Sequence, residues 1–255
     1  MIRFVIPWIA AIFGLQIGSF MNVVIWRVPR GLSLIRPGSS CPSCGRFLRW
    51  YENIPLGSFL FLRGRCSGCD SAISVQYPLI ELSNMVGYFV IFLWFHGVVF
   101  AIVLALFFST LLVISLIDVQ TRKIPRKILY FVAPLILIGL TFDSIKQYGS
   151  ITHLEHPLEG AFLSLVIFGA IHLAKPKAMG MGDVRLAAFI GLVLGYLSFG
   201  AVFDFIYGSF VLGAVFGIGY ALFKSKTLRA TIPFGPFMSM SAVVALFIYP
   251  IIRIF

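Results

Sequence analysis

Two acidic residues stand where an acid is costly. Asp118 ends the run FFSTLLVISLI and precedes VQTRKIP, and Asp183 closes GMGD at 180–183 before another apolar stretch. Glu81 and Asp204 also lie in or beside hydrophobic runs. An acid at such a depth is a candidate functional group until a partner is found for it. Two carboxyl groups a few ångströms apart cannot both ionise cheaply, so they share one proton. The ionised partner can then take a proton from water while the protonated one polarises a carbonyl, which is peptide hydrolysis without a metal or a covalent intermediate. Gly180 and Gly182 lack Cβ and would let a substrate backbone come close to Asp183. The residues alone leave a plainer alternative open: Asp118 pairs with Arg122 or Lys123, and Asp183 with Lys177 or Arg185. Glu81 reads as a cap or ion pair near the start of its run, with a place in the site as the alternative, and Asp204 as facing the outer surface. His96 and His172 read as hydrogen-bonded residues of a helix bundle rather than ligands.

A second cluster is sulfur. All four cysteines fall in one connection, as CPSC at 41–44 and CSGC at 66–69. Two C-x-x-C pairs supply four thiolates, which suit tetrahedral zinc, and Gly45 and Gly68 would ease the backbone around it. Four protein ligands leave no open position, so zinc bound by Cys41, Cys44, Cys66 and Cys69 would be structural. Two disulfides or four unpaired thiols are the alternatives, and the basic character of the connection places it in a reducing compartment, against disulfides. Between the pairs runs RFLRWYENIPLGSFLFLRGR. It reads as a small zinc-stapled subdomain on the bilayer surface, or as a pocket in which aromatics and Glu52 hold a cofactor.

Hydrophobic residues make up 60% of the chain, charged residues only 11%, and 27 are Phe, which is membrane-protein composition. The run from Phe4 to Trp26 is long enough to span and reads as a retained helix rather than a removed signal. Apolar runs predict spans at 4–26, 78–95, 98–117, 128–142, 157–174, 186–198, 200–223 and 234–252. The fold class is therefore all-α and polytopic, with about eight transmembrane helices. Residues 1–26 form the first span, 27–77 a zinc-knuckle loop domain, and 78–255 a transmembrane catalytic domain. The net charge of +11 is unevenly spread. Alternate connections hold every basic residue except Arg3, Lys146 and Arg253, a bias that puts the Cys-rich loop, Asp118 and Asp183 toward the cytoplasm and both termini outside. The positive charge thus reads as topology and attraction to anionic lipid head groups, not nucleic-acid binding.

These stretches together resemble the bacterial type IV prepilin peptidases, GxGD aspartyl proteases. The resemblance covers nearly the whole length, through GLQIGSFMNVVIWRVP at 14–29, CPSCGRFLRWYENIP at 41–55, RGRCSGC at 63–69, YPLIE at 77–81, IDVQTRKIP at 117–125, GMGDVRL at 180–186 and IPFGPF at 232–237. It implies that Asp118 and Asp183 are the protease dyad. It implies that the substrates are prepilins or pilin-like secretion and competence subunits, whose basic leader is removed after Gly at the inner membrane. It further implies N-methylation of the new terminus with S-adenosylmethionine, the cysteine loop being associated with that step. Methyl transfer needs a deprotonated amine, which an acid such as Glu52 would hold or deprotonate. Arg126 departs from the family, which commonly has an acidic or amide residue after I-P. A peptidase with a purely structural cysteine loop, and a proton-coupled transporter, are the competing readings. The acids gather at one lip rather than at the midplane and no inverted repeat shows, which disfavours transport.

Overall fold

The computed structural model describes residues 2–176, 179–224 and 233–252. Lys177, Lys226, Arg229 and Arg253 of the charge asymmetry, and Ile232 of IPFGPF, lie outside them. The elements are helices: α1 (Ile2–Arg27), α2 (Gly57–Phe61), α3 (Gln76–Trp94), α4 (Val98–Thr121), α5 (Arg126–Tyr148), α6 (Glu155–Ala174), α7 (Met181–Leu197), α8 (Phe199–Lys224) and α9 (Gly235–Ile252), with short 3-10 turns at Val28–Arg30, Trp50–Asn53 and Thr152–Leu154. Every apolar run read as a span is a helix. Among the described residues six helices are long and apolar enough to cross a membrane, while α7 and the Gly235–Ile248 part of α9 are shorter.

The chain forms two compact units, Met1–Ala101 and Ile102–Phe255. In the first, α1 packs along α3. Glycines permit the approach: a Cβ on Gly14 would lie 2.7 Å from the Asn84 carbonyl oxygen, and one on Gly18 2.7 Å from Glu81 Cα. Lipid tails are as apolar as Leu, so such close van der Waals packing of small residues is what joins helices here.

In the second unit α7 is the central helix, buried on most of its faces and packed by α5, α6, α8 and α9. Its Gly191 and Gly195 meet Gly160 of α6, backbone against backbone. A helix so enclosed has little lipid to face, which is why 17 residues suffice. The near-continuous stretch 186–223 is divided by Ser198, whose Oγ accepts the Gly200 N–H at 2.9 Å and so caps α8.

The boundary that departs furthest from the expectation is the end of α5. The fourth span was read to end at 142, with Asp143 in or beside a connection, but α5 runs to Tyr148 and closes on left-handed Gly149. Asp143 is buried inside it. Its Oδ2 accepts hydrogen bonds from Tyr196 Oη at 2.9 Å and Gln147 Nε2 at 2.8 Å, and Ser144 Oγ donates to the Ser150 carbonyl at 2.7 Å. These partners satisfy the polar tail of α5 internally, so the helix need not stop where the apolar run does. Asp204 is exposed.

A Cβ on Gly195 would lie 2.5 Å from the His156 carbonyl oxygen and 3.1 Å from Gly160 Cα, both rigid backbone. Gly195→Val is expected to lower stability by about 1–3 kcal/mol, read as a lower unfolding midpoint in detergent. Gly219→Ala, at a glycine with nothing within 4 Å, should leave the midpoint unchanged; equal midpoints for both variants would contradict this packing.

Candidate active site and metal centre

Asp118 sits in the last turn of α4 and is 5% exposed. Arg122 adopts φ 55° immediately after the helix, its N–H returning to the Asp118 carbonyl at 2.7 Å, so the chain turns away beneath the acid. Asp118 Oδ2 accepts the Gly235 N–H at 2.9 Å, at the first residue of α9. Gly235 has to be glycine for this: a Cβ there would stand 2.9 Å from the same oxygen.

Asp183 occupies the first turn of α7 and is half-buried. Its Oδ2 accepts the Gly180 N–H at 3.0 Å, from the extended residue that caps α7. Each acid is therefore gripped by a glycine amide at a helix N-terminus, where the unpaired N–H groups and the helix dipole favour negative charge. The two carboxyl groups lie within electrostatic reach of each other. Two neighbouring carboxyls hold one proton more readily than two negative charges, which is the arrangement that divides acid from base.

The glycines flanking Asp183 act differently from each other. Gly180 is exposed beside the carboxyl, leaving its surroundings open. The space beside Gly182 is taken by Ile124, whose Cβ would lie 3.0 Å from an added methyl. Gly182 thus draws the segment following Asp118 against the start of α7. His172 is a bundle residue as expected, its Nδ1 donating to the Met179 carbonyl at 2.8 Å just ahead of Gly180. Gly235 and Ile124 were not singled out by sequence reasoning, although both fall in stretches that carried the family resemblance.

In the first unit the four cysteine sulfurs lie within 4.8 Å of one another, with Cys41 Sγ and Cys69 Sγ 3.9 Å apart. Zn–S bonds of about 2.3 Å at tetrahedral angles put sulfurs about 3.8 Å apart, so the donor set fits zinc in type, number and spacing. The two knuckles repeat one backbone design. Gly45 N–H bonds the Cys41 carbonyl and Asp70 N–H the Cys66 carbonyl, both at 2.9 Å, while Cys41 and Cys66 donate to Arg46 and Ser71. The left-handed position is Gly45 (φ 72°) in the first and Asp70 (φ 58°) in the second. Gly68 is therefore not the turn residue of the second knuckle. It makes room instead for Arg46, whose Nε would lie 2.8 Å from a Cβ there.

Glu52 joins the knuckles. Its carboxylate accepts from Arg46 Nη2 at 2.7 Å, from the Arg49 N–H at 2.8 Å and from the Ser67 hydroxyl. The Arg46 hydrogen bond, with help from Ser67 and Arg49, holds its carboxyl down to about 2. The side chain is buried and its acceptors are already met within the loop, so it does not fit as the acid that holds a cofactor. Glu81 is 7% exposed in α3 and accepts the Leu56 N–H at 2.7 Å, tying the loop to the helix.

The fold thus combines membrane-crossing helices, two aspartates each held by a glycine amide, and a four-cysteine loop. The profile of the bacterial peptidase A24 N-terminal domain matches residues 12–95, and that of the type IV leader peptidase family matches 105–218. A Pseudomonas aeruginosa prepilin leader peptidase/N-methyltransferase is 32% identical over 92% of this chain and 88% of its own length. An Escherichia coli type 4 prepilin-like proteins leader peptide-processing enzyme is 30% identical over 95% and 94%. A Myxococcus xanthus prepilin leader peptidase/N-methyltransferase is 38% identical over 72% of this chain, a match that spans 54% of that relative. No solved structure matches the chain. The chain belongs to the type IV leader peptidase family.

Glu52→Gln would leave Arg46 without its anion while keeping most of the shape. It is expected to loosen the loop, read as faster limited proteolysis between Cys44 and Cys66 in folded protein; unchanged cleavage would show that the ion pair does not hold the loop.

Proposed function

We propose that this protein removes the leader of type IV prepilins or pilin-like subunits by aspartyl proteolysis with Asp118 and Asp183, and then N-methylates the new terminus. The observation that carries the peptidase half is two carboxyls, each gripped by a glycine amide at the start of a helix, with the Asp118 charge reaching Asp183. The ionised acid takes a proton from water as its oxygen attacks the scissile carbonyl, and the protonated acid hydrogen-bonds that carbonyl. Collapse breaks the C–N bond, with the proton passing to the departing amine. The Gly180 and Gly235 amides keep each Oδ2 fixed throughout. The exposed backbone at Gly180 provides the approach for the leader, and Gly182 acts by admitting Ile124. Pre-positioned groups of this kind supply rate without rearrangement during the reaction.

The basic connections put the dyad and the cysteine loop on the cytoplasmic side, with anionic lipid facing them. Residues 1–26 are the first span, 27–77 the zinc domain and 78–255 the peptidase domain. Zinc held by Cys41, Cys44, Cys66 and Cys69 keeps the loop folded and takes no part in chemistry. S-adenosylmethionine would supply the methyl group, and the relatives' names support that second activity. Since Glu52 is engaged within the loop, no residue is assigned to the donor.

Asp118→Asn and Asp183→Asn are each expected to slow cleavage of a membrane-reconstituted prepilin by about a hundredfold or more, and Gly235→Ala to slow it by displacing Asp118. Near wild-type cleavage by either Asn variant would rule out the dyad. Cys41→Ser is expected to lose most of the bound zinc by elemental analysis, while full zinc content would rule out the four-cysteine site.

A further inference from the structure

Glu81 is the buried acid that the peptidase does not use. Among the described residues its carboxylate accepts the Leu56 N–H and the Ser19 hydroxyl, and no salt bridge reaches it. A buried carboxyl whose partners are all neutral is held in place without a counter-charge, so it is met either by a proton or by a cation that can come and go.

A second, independent feature stands beside it. Asn22 of α1 is 5% exposed, and its Nδ2 donates to the Gly18 carbonyl at 3.3 Å and the Tyr77 carbonyl at 3.2 Å. Both partners are acceptors, which fixes the amide orientation. Its buried Oδ1 is consequently an acceptor with no donor. Gly18 packs on Glu81 itself, and Tyr77 lies one turn before Glu81 on α3, so the two acceptors occupy adjoining turns of one helix interface. This is the end of the hairpin from which the cysteine loop departs, and the Leu56 bond ties that loop to the same carboxylate. Leu56 is held at φ 55°, a conformation that a non-glycine residue keeps only when its surroundings impose it.

A charge and an orphan carbonyl, both acceptors and both buried, call for a compact group with several N–H donors and a positive charge. A primary ammonium has that chemistry. A metal ion would require more anionic ligands than this, and the cluster of metal-binding side chains among the described residues is the cysteine set. We propose that Glu81 and Asn22 form a binding site for a peptide's free α-amino group, the acceptor of the methyl transfer. The assignment rests on the methyl-transfer half of the proposed function, and it moves the amine-holding role from Glu52, which is already paired, to Glu81.

The test uses full-length protein in nanodiscs and an apolar, lysine-free peptide that begins at the residue following a prepilin cleavage site, with its N-terminus either free or acetylated. Wild type is expected to bind the free amine at least about tenfold more tightly than the acetylated form. Glu81→Gln keeps an oxygen to accept the Leu56 N–H but has no charge, so it should bind both forms alike. Asn22→Leu should reduce the preference severalfold. A purely structural Glu81 predicts that the Gln variant keeps the wild-type preference, and that result, or the absence of a preference in wild type, overturns the proposal. Methyl incorporation from labelled donor is measured separately. Free-amine preference lost in Glu81→Gln, together with no methylation by wild type, would uphold the amine site and overturn the methyl-transfer reading instead.

Discussion

Placing a carboxyl group among apolar helices costs several kcal/mol unless donors meet it, and the architecture around Asp118 and Asp183 follows from how that cost is met. Neither acid is given a cation by the hydrogen bonds that fix it. Each takes one backbone N–H from a glycine at the start of a helix, α9 for Asp118 and α7 for Asp183. A neighbouring guanidinium would instead hold a carboxyl ionised. A backbone amide orients the carboxyl and moderates its charge while leaving protonation open. Those two amides stand where α7 and α9 begin, and the absence of Cβ at Gly235 is what lets α9 start against Asp118 of α4.

Holding the acids also requires that helix ends stay put, and the glycine contacts do that. α7 carries Asp183 at one end and presses Gly191 and Gly195 into the α6 backbone along its length, so its first turn cannot slide without losing that packing. Ile124, seated against Gly182, ties the chain just after Asp118 to the chain just before Asp183. Toward the other end Tyr196 of α7 reaches Asp143 of α5. The same acid that looked like a connection residue thus pins the central helix.

Much of this was readable in the sequence. The apolar runs located every long helix because hydropathy reports the bilayer directly. The cysteine spacing implied a four-sulfur cluster, and the four sulfurs do gather. What hydropathy could not report was polar sequence satisfied inside the bundle: α5 continues through Asp143, Ser144 and Gln147 because their partners, Tyr196, Ser150 and Asp143 itself, come from the tertiary fold and the helix's own next turn. Turn geometry was equally opaque. Gly68 looked like the knuckle glycine, yet Asp70 takes the left-handed position and Gly68 yields to the Arg46 side chain, a contact between segments that no local pattern encodes. The helix contacts did leave a trace, since Gly14 and Gly18 in α1 and Gly191 and Gly195 in α7 are each four residues apart, the small-residue spacing of close helix pairs.

The acids can finally be separated by what meets them. Glu52 and Asp70 face Arg46 and Arg65, ion pairs within the cysteine loop that have no reason to change charge. Asp143 takes two side-chain donors from α5 and α7 on one oxygen, a link that fastens two helices. Asp118, Asp183 and Glu81 share a third condition: each is anchored by a backbone amide from a loop or a helix start, Glu81 adding only a hydroxyl. A main-chain donor cannot be withdrawn by a change of rotamer and brings no full positive charge. That combination gives a fixed direction with an unneutralised acid, which suits groups whose work is to pass a proton or receive a cation. Depth in the bundle does not separate these acids, for Asp143 is as buried as Asp118; the kind of donor that meets each one does.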